Sequence, residues 1–419
     1  MIPALRRRTF LGAGLAAGGM ALLPSGLHAA AIDTSDLIPL AGIVPIGPAE
    51  RSRRLDTARD LMAAHGLAAI VVEPGASMVY FTGVHWHRSE RLTLAIIPAH
   101  GDPVVVTPFF EEPSVRQTLG IRAEIRVWQE DQSPIDLAAD TLRAMNAANG
   151  AVGIEETVRF FASDGLARAL PAARIVSANP VVRGCRMIKT PAELALMQAA
   201  TDITIAAFRW TWPRVREGMT PDTIGALMDA ATVKLGGTPE FALVLLGEAA
   251  AYPHGSNRPQ VVREGEVVLM DCGCTVDGYQ SDISRTFVPG RAPEAVRRVW
   301  DQVAHGQQVA LAAAKVGAAA GSVDDAVRAY YTPLGYGPGY ALPVLSHRTG
   351  HGIGLDGHEP VNLVHGETTR LAPGMCFSNE PGLYLPGKFG VRLEDCFHIT
   401  DAGPKWLSTP PTSLDRPFD

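Results

Sequence analysis

Four acidic residues, Asp271, Asp282, Glu380 and Glu394, stand where acids are costly, and they are the first sign of chemistry in this chain of 419 residues. Val267-Val268-Leu269-Met270 reads as a buried strand that ends in Asp271. A carboxylate entering a core must be paired or metal-bound. Asp282 follows eleven residues later, across Asp277-Gly278. That dipeptide is a hairpin turn signal, which brings both carboxylates to one end of a strand pair. Met375-Cys376-Phe377 leads into Asn379-Glu380-Pro381-Gly382, again with an acid at a strand's end. In Gly390-Val391-Arg392-Leu393-Glu394, alternation puts Arg392 and Glu394 on one face. Each acid alone reads better as a turn cap, a helix cap or a solvated strand position. With Gly350-His351-Gly352-Ile353-Gly354, a histidine among glycines that permit close backbone approach, they read as a ligand set.

Four carboxylates and one imidazole are mostly hard donors. They suit Mn²⁺, with Co²⁺ or Zn²⁺ as other occupants, and not a thiolate-rich structural zinc site. Four anions in one pocket repel strongly unless compensated. Two divalent cations roughly 3.5–4 Å apart, bridged by carboxylates, would neutralise them.

The elements that must position these residues fall into two α/β domains. In residues 49–180, Leu55, Ala58, Leu61, Met62 and His65 share one helical face that Gly66 can end. Leu67–Val72 reads as a buried strand, and Leu92–Pro98 with Val104–Pro108 as a hairpin. Helical patterns at 135–147 and 160–169 alternate with strands at 152–155 and 174–177. Asn179-Pro180 reads as the stop of this domain, before a connector carrying Cys185 and Lys189. Thr190, Pro191 and Glu193 then spell a capping box for a helix running through Ala207 or beyond. Another helix follows Thr220-Pro221-Asp222, and further helices lie near 293–315 and 321–331 among short apolar strands. The second domain spans 185–412, and residues 32–48, rich in Pro and Gly, form an extended arm. The fold class is α/β (α+β).

Residues 1–31 are set apart. Arg6-Arg7-Arg8-Thr9-Phe10-Leu11 opens an apolar Gly/Ala-rich run to Leu23, followed by Ala29-Ala30-Ala31. The run is too short to span a bilayer. It reads as a twin-arginine export signal, removed on the way to the periplasm or the exterior. No other segment is long and apolar enough for a membrane helix, so no membrane partner is expected after signal removal. A net charge of -6 with scattered arginines gives no basic field for nucleic acid. Five cysteines, an odd number, describe no disulfide framework.

Taken together, Asp271 with Asp282 eleven later, His351, Glu380-Pro381-Gly382-Leu383-Tyr384 and Arg392-Leu393-Glu394-Asp395 resemble the pita-bread family of prolidases, aminopeptidases P, creatinases and methionine aminopeptidases. The match covers about 185–400. His254, seventeen before Asp271, and His358, seven after His351, fall where that family keeps histidines that are not ligands. The first domain fits the creatinase, prolidase and aminopeptidase P branch. The resemblance implies a small creatinase-like N-terminal domain, a pita-bread catalytic domain and a homodimer. It implies that Asp271 and Asp282 bind one metal, that Asp282 and Glu394 bridge to a second, and that His351 and Glu380 complete the ligands of that second metal. Glu380 would act as general acid/base, and His254 and His358 would hydrogen-bond the substrate carbonyl and developing oxyanion. Arg392 would orient neighbouring carboxylates, with Tyr384 assisting. His347, just ahead of His351, is a further pocket candidate.

The implied substrate is a proline-containing peptide cut before proline, whose tertiary amide offers no N–H, so ring shape must serve recognition. A strict dipeptidase also needs a cation for the free carboxylate. Several family dipeptidases carry an arginine shortly after the second histidine. Here His358-Glu359-Pro360-Val361-Asn362 contains none, and the next is Arg370. Dipeptidase and aminopeptidase P both stay open, with the two-domain length and the Gly387-Lys388-Phe389-Gly390-Val391 context favouring dipeptidase. A non-peptide hydrolase on the same fold (organophosphate ester or creatinase-like) and a metal-free peptide-binding module are the rivals. Intact ligands argue against the metal-free forms. Cys272 and Cys274 read as small residues packed beneath the metal strand, and His85-Trp86-His87 as a loop that could reach a neighbouring active site.

Overall fold

The helical face containing Leu55, Ala58 and Met62 belongs to α1 (Pro48–His65), which ends on Gly66 at φ 65°. That left-handed turn would strain a side chain, which is why glycine closes the helix. The structure, a computed structural model, describes residues 32–418; the segment read as an export signal lies outside the described residues. After α1 come β1 (Leu67–Val72), α2 (Ala76–Thr82), β2 (Leu94–Pro98), β3 (Val104–Pro108), α3 (Glu112–Thr118), β4 (Glu124–Trp128), α4 (Pro134–Ala144), β5 (Ala151–Ile154), α5 (Phe160–Ala169) and β6 (Arg174–Ser177). The strands form one six-stranded sheet in the order β4-β3-β2-β1-β5-β6. The expected hairpin is the antiparallel β2–β3 pair, while β5 and β6 run parallel to β1. The sequence reading passed over α2, α3 and β4. The two helices have seven residues each, too short to show a period, and β4 is an edge strand left partly exposed.

Asn179-Pro180 does not stop this domain. It opens α6 (Asn179–Met187), because proline is at home in a helix's first turn. Cys185 is therefore buried on a helix in the same core as Leu55 and Ala58, not placed in a connector.

The second half begins with α7 (Pro191–Thr211), which carries the full Thr190–Glu193 capping box, and α8 (Pro221–Leu235). Next are β7 (Thr238–Leu246), β8 (Val268–Val276), β9 (Tyr279–Gln280), β10 (Ile283–Phe287), α9 (Glu294–Ala313) and α10 (Gly321–Tyr331). The chain closes with β11 (Gly350–Gly352), β12 (Glu359–Leu363), β13 (Cys376–Asn379), β14 (Gly382–Leu385), β15 (Phe389–Arg392), β16 (Asp395–Thr400) and β17 (Gly403–Trp406). One sheet runs β10-β8-β7, a second runs β12-β11-β13-β16-β17, and β14 pairs with β15. Backbone hydrogen bonds between Ser284 and Glu394 join the first sheet to the β15–β16 connection.

Four hydrogen bonds, two of them buried, fix the halves and the arm. Arg54 of α1 donates to the Tyr279 hydroxyl at 2.7 Å, and that hydroxyl donates to Glu193 of α7 at 2.8 Å. In the arm, Ile46 N donates to the Asp277 carboxylate at 2.8 Å, and Trp210 Nε1 donates to Asp36 at 2.9 Å. Among the described residues no helix is long and apolar enough to cross a membrane.

Candidate metal centre and active site

Asp271 sits in the middle of β8, not at its end: the strand continues through Cys272-Gly273-Cys274 to Val276. Small residues carried it on where the apolar run stopped. Cys272 and Cys274 are buried on the alternate face, with the Cys274 thiol 3.3 Å from the Ala200 carbonyl of α7, so they pack beneath the strand as expected. The turn at Asp277-Gly278, both at positive φ (48° and 81°), folds the chain back. Strand β10 then returns antiparallel, with Ser284 opposite Asp271. Asp282 lies two residues before Ser284, just ahead of the returning strand.

The second sheet delivers the remaining ligands. His351 lies in β11, hemmed by glycines that allow backbone approach: a Cβ on Gly350 would stand 2.1 Å from the Ser378 carbonyl oxygen. Glu380 follows directly on β13, and its N–H donates to the Thr349 carbonyl at 2.9 Å. Ser284 Oγ donates to Glu394 at 2.9 Å and accepts from Arg392 Nε at 2.9 Å, so Arg392 and Glu394 do share a face.

All five residues converge. Three overlapping triads, Asp271-Asp282-Glu394, His351-Glu380-Glu394 and Asp282-His351-His358, each place one ligand atom per residue within 4.8 Å of the others. The convergence has one chemical peculiarity. His351 Nδ1 lies 3.0 Å from the Gly352 carbonyl, which can only accept, so Nδ1 carries the proton. Burial holds the imidazole well below its usual range, hence neutral. Its Nε2 lone pair therefore points at Asp282 Oδ2 (3.5 Å) and Glu380 Oε1 (3.4 Å), acceptor against acceptor. Oδ1 of Asp271 and Oε1 of Glu394 are also buried without a hydrogen-bond partner. Buried acceptors facing acceptors call for a cation among them, and a carboxylate-rich set with one imidazole fits divalent ions. The same crowding raises the acids. Burial, then Asp271 and Glu380, push Asp282 well up, and burial, then Asp282, does the same to Glu394. Burial, opposed by Arg392 and assisted by Asp271, lifts Glu380 to about 7.

Around the cluster runs a hydrogen-bonded chain. Arg392 Nη2 donates to Asp271 Oδ2 at 2.7 Å and Nη1 to the Tyr384 hydroxyl at 3.1 Å. The His347 Nδ1 proton goes to the Arg348 carbonyl at 2.7 Å, so Nε2 accepts from Tyr384 at 2.7 Å. His347 thus joins the site, held neutral by burial with a pKa near 3. His254 and His358 are exposed residues lining the cleft, and the His358 ring stands edge-on to His351 at 4.1 Å. The cleft has a volume of about 1050 Å³ and includes Thr157 from the first domain. Trp86 and His87 line a smaller neighbouring cavity that shares Thr157 and Asp356 with it.

Two contributors escaped the sequence reading. Ser284, two residues beyond Asp282, was available from strand alternation. Arg348, also in the cleft, sits between His347 and His351, where nothing in the local sequence sets it apart from the chain's other scattered arginines.

Comparison with known proteins places this geometry. Residues 195–401 match the model of metallopeptidase family M24, and residues 54–188 match the creatinase/prolidase N-terminal domain. A Mycobacterium tuberculosis protein described as "Probable dipeptidase PepE" is 32% identical over 87% of this chain and 96% of its own length. The "Xaa-Pro dipeptidase" of Lactobacillus helveticus is 31% identical, covering 77% of this chain and 88% of that one. The crystal structure of dipeptidase PepE from Mycobacterium ulcerans superposes with a TM-score of 0.80 at 31% identity, over 89% of this chain and 99% of that one. The family implies divalent metal ions, which the carboxylate and histidine cluster suits. The chain belongs to metallopeptidase family M24, in the two-domain form with a creatinase/prolidase N-terminal domain, and is a peptidase.

Proposed function

We propose that the protein hydrolyses peptide bonds preceding proline, as an Xaa-Pro dipeptidase with two divalent ions, Mn²⁺ foremost, held by Asp271, Asp282, His351, Glu380 and Glu394. The observation that carries this reading is the neutral His351 facing two carboxylates, with orphaned oxygens on Asp271 and Glu394 beside it. When bound, such ions supply Lewis acidity toward the scissile carbonyl and acidify water. The chain's own groups do the rest. Glu380, whose Oε1 lies 3.4 Å from His351 Nε2 within the cluster, would take a proton from water and return it to the departing nitrogen. His254 and His358 line the cleft, where they can donate to the substrate carbonyl and its oxyanion. Arg392 and Tyr384 hold Asp271 and His347 in place.

Proline before dipeptide length is supported by the Lactobacillus relative's name and by the site's resemblance to prolidases. Export by the twin-arginine signal and a homodimeric assembly belong to the same reading. The first is tested by following Arg7→Lys/Arg8→Lys protein into the periplasm, and the second by light scattering. The substrate reading is tested by incubating Mn²⁺-loaded protein with Xaa-Pro dipeptides, Xaa-Pro-Yaa tripeptides and proline-free dipeptides. Proline release from the first group is expected. A folded, loaded protein that leaves all Xaa-Pro bonds intact would refute the assignment.

A further inference from the structure

Two arginines line the cleft, and they differ in commitment. Arg392 is engaged at every nitrogen, with Ser284, Tyr384, Asp271 and the Pro253 carbonyl. Arg348 is half-buried, and among the described residues its guanidinium enters no hydrogen bond or ion pair; only its carbonyl is used, by His347.

The backbone carrying Arg348 is pinned on both sides. Arg328 Nη2 donates to the His347 carbonyl at 2.7 Å. Thr349 donates from N (3.1 Å) and Oγ1 (2.7 Å) to Asp324, a buried acid itself paired with Arg328 at 2.7 Å. A rigid base thus presents a planar fork of donors to the cleft, beside the acidic cluster, with no protein acceptor. It lines the same cleft as Asp271, His351, His358 and Glu380, at the reacting end.

An uncommitted guanidinium in that position suits a carboxylate supplied by the ligand. In a dipeptide the free α-carboxylate lies one residue, about 3.8 Å of chain, beyond the scissile bond. In a longer peptide an uncharged amide occupies that place. We propose that Arg348 binds the free carboxylate of the substrate's C-terminal residue and so selects dipeptides over longer peptides. This rests on the peptidase reading of the site. Selection follows because an amide leaves the guanidinium desolvated and without its counter-charge. In this chain the cation stands before His351 and not after His358. Arg370 is exposed, donates to the Gly317 carbonyl at 3.2 Å and is not part of the cleft.

The test compares kcat/KM for alanyl-proline and alanyl-prolinamide, and for alanyl-leucine and alanyl-leucinamide, in Mn²⁺-loaded wild type, Arg348→Gln and Arg348→Lys. Melting temperature and bound metal are measured on each. Wild type should prefer the free acid by about ten- to a hundredfold. Arg348→Gln should bring the acid-to-amide ratio close to one, chiefly through KM, and Arg348→Lys should give an intermediate ratio. Should the glutamine variant not fold, the lysine variant decides, and a ratio equal to wild type overturns the assignment. So does an unchanged ratio in Arg348→Gln, or a wild type indifferent to the amide. Cleavage of the leucine pair alone refutes the proline reading, while its own ratio still decides the role of Arg348. Cleavage of neither pair overturns both.

Discussion

Arg392 donates from Nη2 to Oδ2 of Asp271 at 2.7 Å, and the other oxygen of that carboxylate is buried without a hydrogen-bond partner. One oxygen is locked so that the other faces the cluster. Removing the lock with Arg392→Met should weaken divalent-metal affinity by about 10–100-fold, read by chelator competition. Arg392→Lys keeps the charge but cannot reach Ser284, Tyr384 and Asp271 together, so its loss should be intermediate. Unchanged affinity in both variants would show that the pair has no part in ordering the ligands.

Glu380 combines a place in the ligand cluster with a carboxyl lifted to about 7 by burial. Glu380→Gln preserves volume and removes the proton acceptor. It should lower kcat by about 10²–10⁴ with the melting temperature of the loaded protein held or raised. A variant with more than a tenth of wild-type kcat would remove Glu380 from the proton path.

Stability should depend on pH differently with and without metal. In stripped protein, Glu380, Asp282 and Glu394 have folded pKa values above their unfolded ones, so the native state holds protons that the unfolded state has lost. Stability contributed by these groups is present below the ordinary carboxylate range and falls as pH rises toward about 7 and beyond. Divalent ions, which favour the ionised carboxylates, should abolish that fall. Denaturant midpoints from pH 4.5 to 8, with Mn²⁺ and with chelator, check this; parallel curves would contradict it.

A second acid should behave oppositely. Glu359, at the start of β12 beside His358, accepts from Lys189 Nζ at 2.9 Å and from Arg186. Burial opposes its ionisation, but Lys189 and Arg186 more than offset that and hold it down to about 2. Its contribution is therefore full above the unfolded value and lost as pH falls through the acid range toward 2. Glu359→Gln leaves the buried Lys189 unmatched and Arg186 with Asp356 alone, and should cost about 3–5 kcal/mol in urea unfolding. Because Glu359 directly follows His358 and is tethered to Lys189, kcat should fall in the folded fraction. A loss under 1 kcal/mol would mean that the cations relax into solvent.

The ligands were legible because acids interrupting apolar strands are conspicuous, and because His351 lies among glycines whose absent side chains allow the Ser378 backbone to pass. Their precise settings were less so. The apolar run before Asp271 suggested a strand end, whereas Cys272-Gly273-Cys274 prolongs the strand with small residues. Pro180 looked like a stop because proline ends helices, yet at the first turn it starts one. Long-range partners left no local trace. Asp324 reads as an ordinary polar position on α10, and only the fold shows it buried against Thr349. Arg54, Tyr279 and Glu193 likewise meet only once the two domains pack.

We propose above that the five-residue cluster holds two divalent ions that support peptide hydrolysis. This is tested most directly by titrating metal-free protein with Mn²⁺ while measuring bound metal and alanyl-proline cleavage together. The account predicts activity that rises to a plateau at two bound equivalents per chain and is absent without metal. Full activity in the metal-free protein, or a folded chain that binds no Mn²⁺, would contradict it.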